Sequence, residues 1–139
     1  MTAETSVIIE APAEKVWKAL VTPSLIKKYL MGAHVTSDWK EGSPIIYDGE
    51  YEGKKYHDKG TIKKVIQEKI LQSTYWSSMG GKEDKPENYN LVTYKLDESH
   101  FETKLTLSQD NIHSEKEKEH ALTNWRSVLR RLKEVVEGD

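Results

Sequence analysis

The feature that most constrains this chain is a change of hydrophobic period. Between Ala33 and Gln109 apolar residues recur at every second position, and beyond Ser114 they recur every three or four. A long alternating stretch buries one face of an antiparallel sheet, and an amphipathic helix after it carries a stripe that has to cover something apolar. On that stripe Ala121, Trp125, Val128, Leu129, Leu132, Val135 and Val136 fall within an arc of roughly 120°. The partner nearest to hand is the inward face of the sheet, which predicts an α+β domain with the sheet gripping its C-terminal helix. With 139 residues the chain has material for one such core, so residues 1–139 read as a single domain.

Within the alternating region, Ile45, Tyr47, Gly49 and Tyr51 share one strand face while Asp48, Glu50 and Glu52 share the other, so the tyrosine face is expected inward and the acidic face wet. A longer strand is expected from Tyr56 to Glu68, with Gly60 a bulge or bend, then strands from Ile70 to Ser77, Asn90 to Leu96 and Phe101 to Leu107. Ser78 to Asn88 is rich in Gly, Pro and charge without a period and reads as a mobile loop. With an opening strand over Thr5 to Glu10, the sheet is a curved antiparallel one of about six strands. Two short helices follow the first strand. One starts at Pro12 and buries Val16, Trp17, Ala19 and Leu20; the other starts at Thr22-Pro23, carries Leu25, Ile26, Tyr29 and Leu30, and stops at Gly32. Ser114 and Glu117 have the spacing of a capping box for the last helix.

Composition removes several functions. No cysteine is present, which excludes disulfides, thiolate metal sites and cysteine nucleophiles. A net charge of −2 gives no support to nucleic acid as a partner, and no apolar run approaches the length of a membrane span, so membrane insertion is not expected. The opening residues lack a charged-then-apolar leader pattern, and a cytoplasmic location is expected. Glycine-rich phosphate loops, serine elbows and dinucleotide fingerprints are missing. His113, Glu117 and His120 lie along one helix side, but His113 precedes the cap, so these read as a solvated face and no metal is assigned. His57-Asp58 are strand neighbours, which sends their side chains to opposite faces and spoils a general-base pairing; they read as a surface pair. Arg126, Arg130, Arg131 and Lys133 suit the negative end of a helix dipole. No catalytic residue and no cofactor is assigned.

Ile9-Glu10-Ala11-Pro12-Ala13-Glu14-Lys15-Val16-Trp17-Lys18-Ala19-Leu20, Thr22-Pro23, Gly60-Thr61-Ile62 leading into Ile70-Leu71, and Asn124-Trp125 with Leu129 and Leu132 carry a resemblance over nearly the full length. On these residues the chain resembles the START-like, birch-pollen-allergen-like helix-grip superfamily, and within it proteins similar to the C-terminal domain of the activator of the heat-shock protein 90 ATPase. It departs from them with Tyr29 where Trp is common, Gln67 where Pro is common and Asn124 where Gly is common, and each departure reshapes packing or cavity. The resemblance implies a fold whose members bind or process varied hydrophobic molecules, without a shared catalytic motif.

A curved sheet under a helix leaves a gap unless large side chains fill it, and apolar gaps with a few polar tips hold small molecules. Tyr29, Trp39, Tyr47, Tyr56, Trp76, Tyr94 and Trp125 are the candidate lining, with Leu105 and Leu129 beside them. The expected function is non-catalytic binding of a small hydrophobic or amphipathic molecule. Two alternatives stand beside it: a surface that docks on a chaperone, implied by the resemblance, and a cyclase- or hydrolase-type enzyme using a titratable residue in the same pocket.

Overall fold

The computed structural model describes residues 1–138. Strand β1 (Ala3–Ile9) is followed by helices α1 (Ala13–Val21) and α2 (Pro23–Tyr29), then by strands β2 (His34–Ser37), β3 (Pro44–Tyr51), β4 (Lys54–Ile66), β5 (Ile70–Tyr75), β6 (Asn90–Ser99) and β7 (Glu102–Asp110), and by the long helix α3 (Glu115–Glu137). All strand pairs are antiparallel and form one sheet in the order β1-β7-β6-β5-β4-β3-β2. The sheet has seven strands rather than about six. The additional one, β2, is four residues long with only Val35 fully buried, too short to show a period; its pairing with β3 defines it.

Curvature is concentrated in β4. Its first half pairs with β3 up to Thr61, its second half pairs with β5 from Ile62 onward, and a bridge between Lys59 and Trp76 lies where the two regions meet. At the hand-over a Cβ on Gly60 would stand 1.7 Å from the Thr74 carbonyl oxygen, so no other residue fits the close approach. Beside it the Thr61 N–H is taken by Thr74 Oγ1 at 2.9 Å, and a register shift follows between Ile62 and Lys64. The expected bend at Gly60 and the bulge are thus neighbouring features of one strand.

The hollow side of the sheet receives α3. Val128, Leu129, Leu132 and Val136 are buried with Ile9, Val16, Leu20, Leu105 and Leu107 in one cluster. Each such side chain contributes about 2 kcal/mol on burial. The N-terminal half of the helix is less deeply set, since Ala121 and Trp125 are only half-buried. Its start follows the expected capping: Ser114 Oγ accepts from the Glu117 N–H at 3.1 Å, and the Glu117 carboxylate accepts from the His113 N–H at 3.0 Å. Thr103, fully buried, donates to the Ala11 carbonyl at 2.8 Å and ties β7 to the turn before α1.

The segment expected to be a mobile loop is tied down. Trp76 Nε1 donates to the carbonyls of Lys82 and Glu83 at 3.2 and 3.1 Å, Asp84 accepts from Tyr89 and pairs with Lys59, and Lys82 pairs with Glu117 of α3 at 3.1 Å. Trp76 and Tyr89 tie the loop locally, and Lys59 and Glu117 hold it from far away in sequence; a search for apolar periods sees neither.

Candidate functional site

The middle of α3 stands off the sheet and leaves a cavity of about 320 Å³ between helix and sheet. Inward positions of consecutive strands build its floor: Tyr47 from β3, Tyr56 and Asp58 from β4, Ser73 and Tyr75 from β5, Val92 and Tyr94 from β6, and Gln109 from β7. Asn124, Trp125, Val128 and Arg131 of α3 form the roof, and Leu30, Met31 and Ala33 after α2 close one end. Met31 and Tyr51, both at least half exposed, stand at the rim with Glu50. At its other end the cavity borders a shallow groove under the loop after Trp76; Tyr51, Tyr75, Gln109 and Asn124 line both.

Aromatic rings meet edge to face inside. Tyr47 and Tyr75 lie 5.5 Å apart at 78°, and Tyr94 and Trp125 lie 6.3 Å apart at 86°. The Trp125 ring is oriented by its Nε1, which donates to Gln109 Oε1 at 2.6 Å. One carboxylate sits among them. Asp58, only 7% exposed, accepts from the Tyr75 hydroxyl at 2.5 Å, from the Ser78 N–H at 2.9 Å and from Ser78 Oγ at 3.1 Å.

The buried phenols are held neutral. Burial raises the Tyr47 hydroxyl well above its ordinary value, a hydrogen bond with Ser73 partly offsets this, and the Asp58 charge adds to it. Tyr75 is raised by burial, by its bond to Asp58 and by the Asp58 charge, and Tyr94 by burial and then by Tyr47. Tyr47 and Tyr94 keep some accessible surface, and both line the cavity.

Of the nine positions expected to line a pocket, the cavity brings together Tyr47, Tyr56, Tyr94 and Trp125. Tyr29 is buried between the N-terminal helices, with its hydroxyl donating to the Ala19 carbonyl at 2.9 Å. Leu105 and Leu129 are fully buried in the core beyond the cavity wall. Trp39 packs on the core edge after β2 with a left-handed backbone (φ 58°). Trp76 lies in the neighbouring groove, stacked on Tyr89 at 6.5 Å.

Two charged residues correct the sequence reading. Asp58 is not a surface residue: His57 does point outward, bonded to Asp48 across the strand pair, and the same alternation turns Asp58 inward with Tyr56 and Ile62. The run 56, 58, 60, 62 on one face was the available signal. Arg131 does not serve the dipole of its own helix. Its Nε donates to the carbonyl of Tyr29, the last residue of α2, at 3.1 Å, and its Nη1 to Ser127 Oγ at 2.7 Å. The spacing from Asn124 through Val128 to Arg131 places it on the cavity side of α3. Among the described residues no group of three or more His, Asp or Glu side chains is arranged to hold a metal ion.

Residues 10–137, nearly the whole chain, match the family of activator of Hsp90 ATPase homolog 1-like proteins. The chain belongs to this family. Its curved sheet and long C-terminal helix are those of the helix-grip superfamily. It is similar to ChR145 from Cytophaga hutchinsonii, whose solution structure superposes with a TM-score of 0.86 at 46% identity, covering 99% of this chain and 94% of that one. The Aha1 dimer from Colwellia psychrerythraea superposes with a TM-score of 0.78 at 21% identity, covering 99% and 96%. Protein MLL2253 from Mesorhizobium loti does so with a TM-score of 0.81 at 20% identity, covering 99% and 98%. At the last two identities the likeness shows the fold alone. No protein of curated function matches the chain. Among the described residues no helix of this family member is long and apolar enough to cross a membrane.

Proposed function

We propose that this protein binds a small amphipathic molecule in the cavity between the sheet and the middle of α3, without transforming it. The observation that carries this reading is a void of about 320 Å³ walled by Tyr47, Tyr75, Tyr94 and Trp125 and left unfilled by any side chain of the chain itself. Specific small-molecule sites start at roughly that volume, about 300 Å³, and combine apolar walls with a few fixed polar groups. Gln109, Asn124, Ser73 and Asp58 are those groups here. A proton-transfer role finds less support. Three donors already occupy Asp58, and the raised Tyr47, Tyr75 and Tyr94 hydroxyls keep their protons near neutral pH.

The neutral fluorophore N-phenyl-1-naphthylamine, titrated into the pure protein, should brighten saturably with one site. Val128→Phe, which places a ring in the void from a buried roof position, should abolish that site while leaving circular dichroism unchanged. Absence of saturable binding to the unaltered protein would sink the reading.

Family membership favours a second reading, docking on an Hsp90-type chaperone. It predicts stimulation of that chaperone's ATPase on addition of the pure protein, unaffected by Val128→Phe; no change in ATPase and no co-sedimentation would remove it.

A further inference from the structure

We infer that the ligand of this cavity is an organic cation, an ammonium group on an aromatic or aliphatic body, held with its charge among Tyr47, Tyr75 and Asp58. The inference rests on the cavity being a binding site, as proposed above, and names the chemistry it selects.

Asp58 carries the argument. It is 93% buried on the cavity floor, and its three hydrogen bonds all come from neutral donors, Tyr75 and the N–H and hydroxyl of Ser78. Among the described residues no Lys, Arg or His pairs with it. A buried carboxylate is ordinarily matched by a cation, because removing its charge from water is costly and hydrogen bonds alone offset only part of the loss. The missing counter-charge therefore belongs to a guest. The surrounding walls suit such a guest. Aromatic faces attract cations, and a desolvated ammonium beside several rings gains more than one in water. Tyr47 and Tyr75 are set edge to face next to the carboxylate, with Tyr56 on the same strand face and Tyr94 and Trp125 completing the enclosure. Glu50 adds a second negative group at the rim.

Among the described residues Arg131 is the one cation in the lining. It belongs to the helix roof, where its guanidinium is committed to the Tyr29 carbonyl and Ser127. That leaves Asp58 on the floor and Glu50 at the rim against one anchored guanidinium on the roof.

Three probes that share a phenyl ring and a four-carbon chain differ in the group at its end: 4-phenylbutyltrimethylammonium, 4-phenylbutanol and 4-phenylbutyrate, each titrated calorimetrically into the intact protein. The ammonium should bind about tenfold or more tighter than the alcohol, since a desolvated charge pair adds to the cation–π attraction, and the carboxylate weakest. Asp58→Asn should remove most of the ammonium's advantage over the alcohol, leaving what the aromatic rings alone supply. Equal binding of ammonium and alcohol, a preference for the carboxylate, or an ammonium preference that Asp58→Asn leaves undiminished overturns the inference while leaving the cavity a binding site. Binding of none of the three overturns the cavity reading as well. Should Asp58→Asn not fold, the ranking on the unaltered protein decides.

Discussion

At the scale of single residues, polarity in this protein is decided by which way a side chain faces on a strand. Tyr56, Asp58 and Ile62 turn inward, and His57 and Lys63 turn outward, from one uninterrupted strand. The same alternation concentrates tyrosines inside, and that has a consequence at high pH. Tyr29, Tyr47, Tyr75 and Tyr94 all have hydroxyls raised above the ordinary 10.0, with burial the largest cause in each case. A raised value means that the folded state holds the proton more tightly than the unfolded state. The stabilisation is complete below about pH 10, the unfolded value, and is lost as pH rises toward the folded values. Ultraviolet titration should therefore show these four ionising only together with loss of the helical circular dichroism signal. Smooth ionisation of all seven tyrosines near pH 10 with the fold intact would contradict their burial.

At the scale of elements, β4 sets the curvature and α3 responds to it. The hand-over at Gly60 depends on the bare Cα, because an added Cβ meets the Thr74 carbonyl, which is backbone and cannot step aside. Gly60→Ala should cost about 2–4 kcal/mol in urea unfolding, through broken pairing between the two halves of the sheet. Gly49→Ala is the control. Its Cβ would meet the tip of the Tyr56 ring at 2.3 Å, a side chain that can swing toward the rim, so about 1 kcal/mol or less is expected there. Equal losses would show that the hand-over is not where the sheet is strained. The loop after Trp76 belongs to this scale too. Its charges, which made it look solvated in sequence, are the groups that fasten it to Lys59 and to the first turn of α3.

Over the whole molecule, two stretches of α3 do different work. Its C-terminal end closes the core on β1 and the short helices, and its middle, from Asn124 to Arg131, roofs a cavity. The class of fold was legible in the sequence, since a period of two followed by a period near 3.6 leaves few other ways to bury both faces. The two short helices and the capping of α3 were legible because Pro12, Pro23 and the Ser114/Glu117 pair act on their immediate neighbours. Four of the nine expected lining residues reach the cavity. The remaining large side chains satisfied the same rule of being apolar and inward, but only the depth at which α3 settles separates Leu105 and Leu129 in the core from Tyr94 and Trp125 at a void. Local chemistry along the chain determined which faces are buried and where the helices begin. Tertiary structure alone decided where burial stops short of complete packing, because a gap is a property of two surfaces that meet and neither surface carries a record of it.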